Sequence, residues 1–236
     1  MTTKQPNTVI DAHNVSKVYT EGSVSIYALH NVHLHIDRGE FIAIKGPSGS
    51  GKTTLLNMIG GLDIPTSGYV EINGTNITNL SYNELVNFRL HNIGFVFQSY
   101  NLIPVLTAEE NIEFIMLLQN LPKVQRKKRV LELLEQIGLS DRAHKKPSEL
   151  SGGQQQRIAV ARALASKPQF ILADEPTANL DTKSAENLLD IMLKLNREEH
   201  ITFVFSTHDQ RVIDKARRVI TLEDGNIISD INSYKA

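Results

Sequence analysis

The sequence contains no cysteine, and long apolar runs are scarce. The lack of cysteine excludes disulfide bonds and thiol-ligated metals. No apolar run approaches the roughly 18 residues needed to cross a bilayer, and the richest stretch, Ile112 to Leu121, includes Glu113. The N-terminal segment Met1 to Asn14 has no long apolar region and contains Asp11, so it is not typical of a signal peptide. If the protein serves a membrane, we expect it to act through a partner.

Net charge is also nearly absent. The 25 Lys and Arg residues balance 26 Asp and Glu residues, which leaves a formal charge of −1. No overall field therefore favours nucleic acid or anionic lipid, and we expect no nucleic-acid partner. The 236 residues, of which 41% are hydrophobic and 22% charged, suit one α/β domain with a large core.

Short β-rich runs alternate with longer helical patterns. Several of the runs are almost continuously apolar, as is typical of strands buried on both faces. Asp224-Gly225 is a hairpin signal between the last two strands. The predicted strands are Val9–Val18, Val32–Ile36, Phe41–Lys45, Tyr69–Ile72, Ile93–Phe97, Phe170–Ala173, Thr202–Ser206, Val219–Glu223 and Asn226–Ile228.

The middle of the chain has a different pattern. Apolar residues from Thr107 to Gly138 recur at helical spacing, and Pro122 separates two helices. Leu131, Leu134 and Ile137 are expected on one apolar stripe with Val130 and Leu133 beside it, and Gly138 ends the second helix. We therefore expect a helical insert in a strand-rich body.

A glycine-rich loop follows the predicted strand Phe41–Lys45 and precedes a helical run that begins at Thr54. It fits the pattern G-x-x-x-x-G-K-[ST], in which backbone N–H groups and a helix N-terminus surround a phosphate group. Lys52 is expected to reach the β- and γ-phosphates, and the Thr53 hydroxyl to ligate Mg²⁺. The predicted nucleotide-binding residues of this loop are Gly46, Pro47, Ser48, Gly49, Ser50, Gly51, Lys52, Thr53 and Thr54.

Two carboxylates, Asp174 and Glu175, follow the apolar strand Phe170–Ala173. Acids in this position suit a site at which Asp174 holds Mg²⁺ and Glu175 orients and deprotonates a water molecule. Taken alone, Asp174-Glu175-Pro176 is equally typical of a polar turn that ends a strand. The upstream phosphate loop favours the catalytic interpretation.

Leu150-Ser151-Gly152-Gly153-Gln154 precedes a helical run and resembles the signature motif of ABC ATPases. It is a second glycine-rich helix N-terminus and hence a second candidate anion site, although a capped helix would look the same. Further positions match the family in order: Gln98 the Q-loop glutamine, Ala178 to Asp181 the D-loop, His208 the switch histidine and Tyr19 the adenine-stacking aromatic. Tyr19 could instead be a packed strand residue.

The resemblance covers essentially the whole chain. It implies a P-loop NTPase (RecA-like) α/β core with an antiparallel β subdomain and a helical insert, all in one cassette over residues 1–236, with the insert at roughly 99–156. It implies ATP and Mg²⁺ as cofactors, with Thr53, Gln98 and Asp174 at the metal. Glu175, His208, Gln98 and Lys52 would be catalytic.

The resemblance also implies a head-to-tail dimer. Each ATP would lie between the phosphate loop of one chain and the signature residues of the other, so that Ser151, Gly152, Gly153, Gln154 and Asp181 complete the partner's site. ATP would hold the dimer together, and hydrolysis would release it.

Leu56 to Asp63, Phe97 to Pro104 and Leu172 to Asp181 resemble the macrolide-exporter and lipoprotein-releasing branch. That likeness implies an integral membrane permease with an extracytoplasmic domain and a peripheral location at the cytoplasmic face of the inner membrane. One alternative is force transmission to a periplasmic enzyme. Another is a soluble ABC ATPase that acts on DNA or ribosomes or in cluster assembly. The cargo is not encoded in any recognised pattern.

Two other clusters have weaker interpretations. His30, His33 and His35 lie close together, and the last two would share one face of a strand, for which a solvated face is favoured over a metal site. The basic run from Lys123 to Arg129 could contact lipid headgroups or a partner, but a solvated helix face is favoured.

Overall fold

A computed structural model describes residues 7–22 and 24–233. Residues 1–6, which belong to the N-terminal segment interpreted above, lie outside the described residues, as do 23 and 234–236. Across the described ranges, no helix has the length and apolar character needed to cross a membrane. The elements form two sheets with helices packed around them, which confirms the predicted α/β class.

The strands and helices have the following bounds. The strands are β1 (Thr8–Glu21), β2 (Val24–Asp37), β3 (Phe41–Lys45), β4 (Ser67–Ile72), β5 (Thr75–Asn76), β6 (Ile93–Val96), β7 (Phe170–Asp174), β8 (Thr202–Ser206), β9 (Arg218–Glu223) and β10 (Asn226–Asn232). The helices are α1 (Lys52–Ile59), α2 (Tyr82–Asn92), α3 (Ala108–Leu118), α4 (Lys123–Gln136), α5 (Gly152–Ala165), α6 (Thr182–Glu199) and α7 (Gln210–Lys215).

The smaller sheet is antiparallel, in the order β2-β1-β4-β5. Val32, Leu34 and Ile36 of β2 are buried, whereas His33 and His35 between them are exposed, as the alternation of a half-buried strand requires. Both long strands extend beyond their predicted bounds. The far end of the added part is a hairpin arm in which β1 pairs with the exposed residues 24–27 of β2, so no buried pattern marks that arm in the sequence.

The larger sheet has the order β10-β9-β3-β8-β7-β6. The strands β9, β3, β8, β7 and β6 are parallel, and β10 returns antiparallel to β9. Nearly every residue of β3, β7 and β8 is buried, because helices cover both faces. The carboxyl ends of these three strands are therefore neighbours at one edge of the sheet.

The predicted helical insert is present. Thr107 caps α3 in a reciprocal arrangement with Glu110, Pro122 precedes α4, and Gly138 follows α4 with a left-handed φ of 66°. Leu134 and Ile137 are buried as expected, but Leu131 is 64% exposed, so that part of the prediction is wrong. The buried stripe instead runs through Val130 and Leu133, three and four residues from its other members.

The basic run at the start of α4 is only partly solvated. Arg126 Nε donates to Glu113 Oε1 at 2.8 Å, and an Arg129 nitrogen donates to the Leu164 carbonyl at 3.3 Å. Both arginines are partly buried, whereas Lys127 and Lys128 are exposed. The prediction that the whole run is solvated is wrong for Arg126 and Arg129. Consecutive residues on a helix point in all directions, and α4 packs on α3 and α5.

The boundary of the insert remains a prediction. Helix α5 packs against α3 and α4, and also against β6 and α6 of the core. One rigid helix thus joins the insert to the body, and its N-terminus carries the predicted signature residues.

A buried ion cluster ties the two sheets together. Arg218 of β9 is 3% exposed and donates to Glu40 Oε2 at 2.9 Å, to the His35 carbonyl at 2.9 Å and to both Asp230 oxygens at 2.9 and 2.7 Å. Burial raises the pKa of the Glu40 carboxyl, and the positive charge of Arg218 opposes that rise. The arginine therefore favours the charged form of a buried carboxyl group.

We expect Arg218→Met to lower the free energy of unfolding by about 3 kcal/mol, because it leaves Glu40 buried without its cation. Without Arg218 the Glu40 pKa rises further above its unfolded value, so the folded variant is penalised progressively as pH rises through that raised pKa. The loss should be smaller at about pH 5 than at about pH 8 in urea titrations. Arg142→Met is the control, since Arg142 pairs with Asp141 on an exposed surface. Equal losses in the two variants would contradict the argument.

Candidate functional site

The glycine-rich loop between β3 and α1 forms a cradle. Gly49 and Gly51 have left-handed φ angles of 80° and 100°. A Cβ on Gly51 would also lie 2.4 Å from the Ala28 carbonyl oxygen, so the turn requires glycine there. The Lys52 ammonium lies inside the loop and donates to the Gly46 and Pro47 carbonyls, both at 2.9 Å. The cradle therefore presents a cation and the N-terminus of α1 to one space.

That space is an open cavity of about 610 Å³. It is bounded by the loop on one side and by side chains from β2 and from the ends of β6, β7 and β8 on the others. The predicted site residues among its walls are Gly46, Pro47, Ser48, Gly49, Gly51, Lys52, Thr53, Thr54, Gln98, Glu175 and His208. Ser50 is 2% exposed and does not line the cavity, although its carbonyl accepts from Gly225 N at 3.0 Å and so fixes the loop.

Thr53 and Asp174 meet at the edge of this cavity. The Thr53 hydroxyl lies 3.1 and 3.3 Å from the two carboxylate oxygens of Asp174. Hydroxyl and carboxylate oxygens are hard donors of the kind that Mg²⁺ prefers, and this ion usually takes one or two protein ligands beside phosphate and water. The pair therefore fits a magnesium site, and Gln98 lines the same cavity.

Glu175 is held in an unusual conformation. Its φ is 45°, in the left-handed region that non-glycine residues rarely adopt. Its N–H donates to the Ser206 carbonyl at 2.9 Å, its Oε2 accepts from the Thr207 hydroxyl at 3.0 Å, and its Oε1 lies 2.6 Å from His208 Nδ1. The predicted base and the predicted switch histidine, 33 positions apart, are thus in contact.

A polar network supports this pair, and sequence reasoning missed it. The Thr207 hydroxyl accepts from Asp209 N at 3.0 Å, and the buried Thr177 hydroxyl donates to Asp209 Oδ2 at 2.6 Å. Hydrogen bonds from Arg211 to Asp209, joined by that of Thr177, lower the Asp209 carboxyl pKa from 3.8 to about 2. Since the folded pKa is depressed, the stabilisation is present above about pH 4 and is lost as pH falls toward 2.

The signature residues lie away from the cavity within one chain. Ser151 caps α5, where its hydroxyl accepts from Gln154 N and the Gln154 side chain accepts from Ser151 N, so the capped-helix interpretation is also correct. Ser151, Gly152, Gly153 and Gln154 are absent from the residues that line the cavity. Their role toward a nucleotide stays a prediction.

The start of α6 adjoins the start of α5. Asp181 caps α6 by accepting from Ser184 N at 3.0 Å, and hydrogen bonds from Ser184 lower its pKa. A Cβ on Gly153 would lie 2.8 Å from the Ser184 hydroxyl oxygen, which shows how closely the two helices approach. Two helix N-termini therefore share one surface, and each favours negative charge.

Tyr19 lies beside the loop, not in the cavity wall. Its hydroxyl donates to Asp63 Oδ2 at 2.9 Å, and the Lys17 ammonium lies 4.9 Å from its ring centroid. Partial burial and the bond to Asp63 raise its pKa, while a hydrogen bond with Thr54 ties it to the start of α1. The ring is 41% exposed, so adenine stacking by Tyr19 stays a prediction. Ile26 and Tyr27 of β2 line the cavity instead, and sequence reasoning missed both.

Comparisons with known proteins agree with this geometry. The model of the ABC transporter family, ABC_tran, matches residues 29–178. An uncharacterized ABC transporter ATP-binding protein of Thermotoga maritima is 48% identical over 219 residues, which cover 93% of each chain. The macrolide export ATP-binding/permease protein MacB of Aggregatibacter actinomycetemcomitans is 43% identical over 94% of this chain, but the match spans 34% of that longer protein.

Among solved structures, one similar chain is the ATP-binding cassette MJ0796 in a dimeric post-hydrolysis state bound to ADP and Pi. Its TM-score is 0.87 at 46% identity, and the match covers 95% of this chain and 98% of that one. The structure of cbiO1 from Clostridium perfringens, part of the ABC transporter complex cbiONQ, has the same TM-score at 27% identity. The cassette fold predicted from the motifs is therefore confirmed.

Proposed function

The chain belongs to the ABC transporter family and is an ATP-hydrolysing subunit of that family; from this premise we propose that two copies bind ATP head to tail and drive a membrane-spanning partner. The observation that carries the proposal is the contact of Glu175 with His208 at the mouth of the phosphate loop. It brings a base and a second polar group to the space that the γ-phosphate would occupy.

The loop binds the phosphates. Its backbone N–H groups and the α1 N-terminus supply partial positive charge, and Lys52 supplies a full one. When ATP enters, Lys52 exchanges its bonds to the Gly46 and Pro47 carbonyls for phosphate oxygens. Thr53, Asp174 and Gln98 would hold Mg²⁺, which neutralises charge on the β- and γ-phosphates.

Hydrolysis requires a water molecule in line with the γ-phosphate. Glu175 accepts a proton from that water, and His208 holds both Glu175 and the γ-phosphate in position. Thr207 fixes the second carboxylate oxygen, so the base presents one defined lone pair. Catalysis is then positioning plus charge stabilisation, as phosphoryl transfer requires.

One chain supplies only part of the proposed site. The cavity is open to solvent, and the signature residues of the same chain do not line it. A second copy in head-to-tail orientation would bring its Ser151 and the paired N-termini of α5 and α6 to the exposed phosphate. Two symmetric sites would form at once, because each chain contributes both halves.

The partner is proposed to be an integral membrane permease with an extracytoplasmic domain, as in the exporter and lipoprotein-releasing branch. Support comes from the length of MacB, a protein described as ATP-binding and permease together, of which this chain matches about a third. The described residues include no helix that could cross a membrane. The chain would then lie at the cytoplasmic face of the inner membrane, bound through that permease.

Replacement of either key residue should abolish turnover. Lys52→Ala removes the phosphate cation and Glu175→Gln removes the base, so each should lower kcat at least about 100-fold. Phosphate release by purified protein with ATP and Mg²⁺ measures this. Lys45→Ala is the control, because Lys45 ends β3 and does not line the cavity. Near-normal turnover in both variants would refute the assignment.

Mixed dimers test the shared site. Lys52→Ala chains and Ser151→Arg chains should each be inactive alone. In an equal mixture, half of the dimers pair an intact loop with an intact signature in one of two sites, so turnover should recover to about one quarter of the wild-type value. The measurement is phosphate release against mixing ratio. No recovery would exclude head-to-tail sharing.

Affinity purification tests the permease. Tagged Glu175→Gln protein, held with ATP and Mg²⁺, is purified from detergent-solubilised membranes of its native cell, and mass spectrometry identifies what accompanies it. We expect a multi-span protein with a large extracytoplasmic domain, depleted when Lys52→Ala is the bait. Recovery of ribosomal or DNA-bound proteins without a membrane protein would overturn the partner while leaving the ATPase chemistry intact.

A further inference from the structure

Gln156 is a buried polar residue on the second turn of α5. Its side chain is 0% exposed. Its amide nitrogen donates to the Phe97 carbonyl at 3.2 Å and to the Pro176 carbonyl at 2.9 Å. The amide has two N–H groups, and both are used. One side chain therefore bridges segments that are 59 and 20 positions away from it.

The two carbonyl groups belong to residues adjacent to Gln98 and Glu175, two of the proposed catalytic residues. Phe97 directly precedes Gln98, and Pro176 directly follows Glu175. Both carbonyls lie just beyond the ends of β6 and β7, where the strand ladder no longer holds the backbone. The turns there are irregular: Tyr100 and Asn101 have positive φ angles, as does Glu175. The two turns contact each other directly where the Asn179 amide donates to the Gln98 carbonyl at 3.1 Å, and Gln156 adds a bond from a third element to each turn.

The side-chain oxygen of Gln156 indicates that the two hydrogen bonds donated by its nitrogen are the reason for a glutamine at this position. The Gln156 Oε1 atom is buried and accepts no hydrogen bond from any described residue. A buried acceptor without a donor destabilises the fold, and an apolar side chain of similar size would fill the space without that cost. The benefit of glutamine over such a residue must lie in the two bonds that its nitrogen donates.

We propose that Gln156 is a positioning residue that holds Gln98 and Glu175 in register for hydrolysis. The inference rests on the proposed function of those two residues. Gln156 does not line the cavity, so it acts only through the two turns. Because α5 packs on α3 and α4, a displacement of the helical insert would reach both turns through this amide. Among the described residues, no hydrogen bond joins Gln156 to the phosphate loop, so we expect nucleotide binding by that loop to stay unchanged.

Gln156→Met keeps the volume and removes both donors. The matched control is Gln155→Met on the preceding residue, whose amide donates to the Leu150 carbonyl at 3.1 Å at the start of the same helix. In hydrogen exchange of the wild-type chain and both variants without nucleotide, amides of residues 98–101 and 177–180 should exchange faster in Gln156→Met alone. The kcat for ATP should fall about 10-fold or more, with KM and nucleotide stoichiometry unchanged.

The inference would be overturned if hydrogen exchange in both turns were the same in Gln156→Met as in the wild-type chain. It would also be overturned if the kcat of Gln156→Met equalled that of an active wild-type chain. So would a parallel loss of kcat and binding stoichiometry, since that marks a merely structural role. If Gln156→Met does not fold, Gln156→Asn replaces it with the same readouts, because its shorter amide cannot span both carbonyls. Wild type and Glu175→Gln are assayed alongside: equal turnover in those two would refute the proposed function, while the exchange data still decide the role of Gln156.

Discussion

The parallel pairing of β3, β8 and β7 is the constraint on which the site depends. Ile44 pairs with Ser206, and Ser206 pairs with Asp174, so the three strands end at one level of the sheet. The chain leaves each strand into a different polar loop: the phosphate loop, the turn of Thr207 and His208, and the turn of Glu175. These loops converge because parallel strands point all their carboxyl ends to the same edge. Burial of the strands on both faces fixes the register, since a slip would expose apolar residues or bury charge.

In the proposed mechanism, binding and hydrolysis use different parts of this edge. The phosphate loop is held by its own backbone and by Gly225, which fixes Ser50, so its cradle is formed before nucleotide arrives. The signature residues are equally preorganised, with Ser151 and Gln154 bonded to each other. Each half is rigid, but in one chain the halves are apart. Assembly of the proposed site therefore costs mainly the association of two chains, and a bound γ-phosphate can offset that cost.

The parts of the site that could be predicted are those marked by local patterns in the sequence. The loop from Gly46 to Thr53 is recognisable because its backbone needs glycines at fixed offsets, and Asp174 and Glu175 because they interrupt an apolar run. The parts that could not be predicted depend on tertiary contacts. Thr177 and Gln156 bond to partners 20 to 59 positions away, which no local pattern indicates. Helix α2 has little apolar periodicity, and only the capping pair Ser81 and Glu84 could have indicated it. The burial of Arg126 and Arg129 depends on how α4 meets its neighbours.

Glu175 has a strained backbone conformation that several hydrogen bonds hold in place. A left-handed φ at a residue with a Cβ costs on the order of 1–3 kcal/mol, and it persists only when surrounding bonds impose it. Here the backbone bond to Ser206, the side-chain bonds to Thr207 and His208, and the Gln156 bond to the next residue impose it from four directions. A carboxylate on an unrestrained turn would sample many orientations toward water. The strained turn therefore exchanges stability for one orientation of this carboxylate, the proposed base, and the network behind it maintains that orientation.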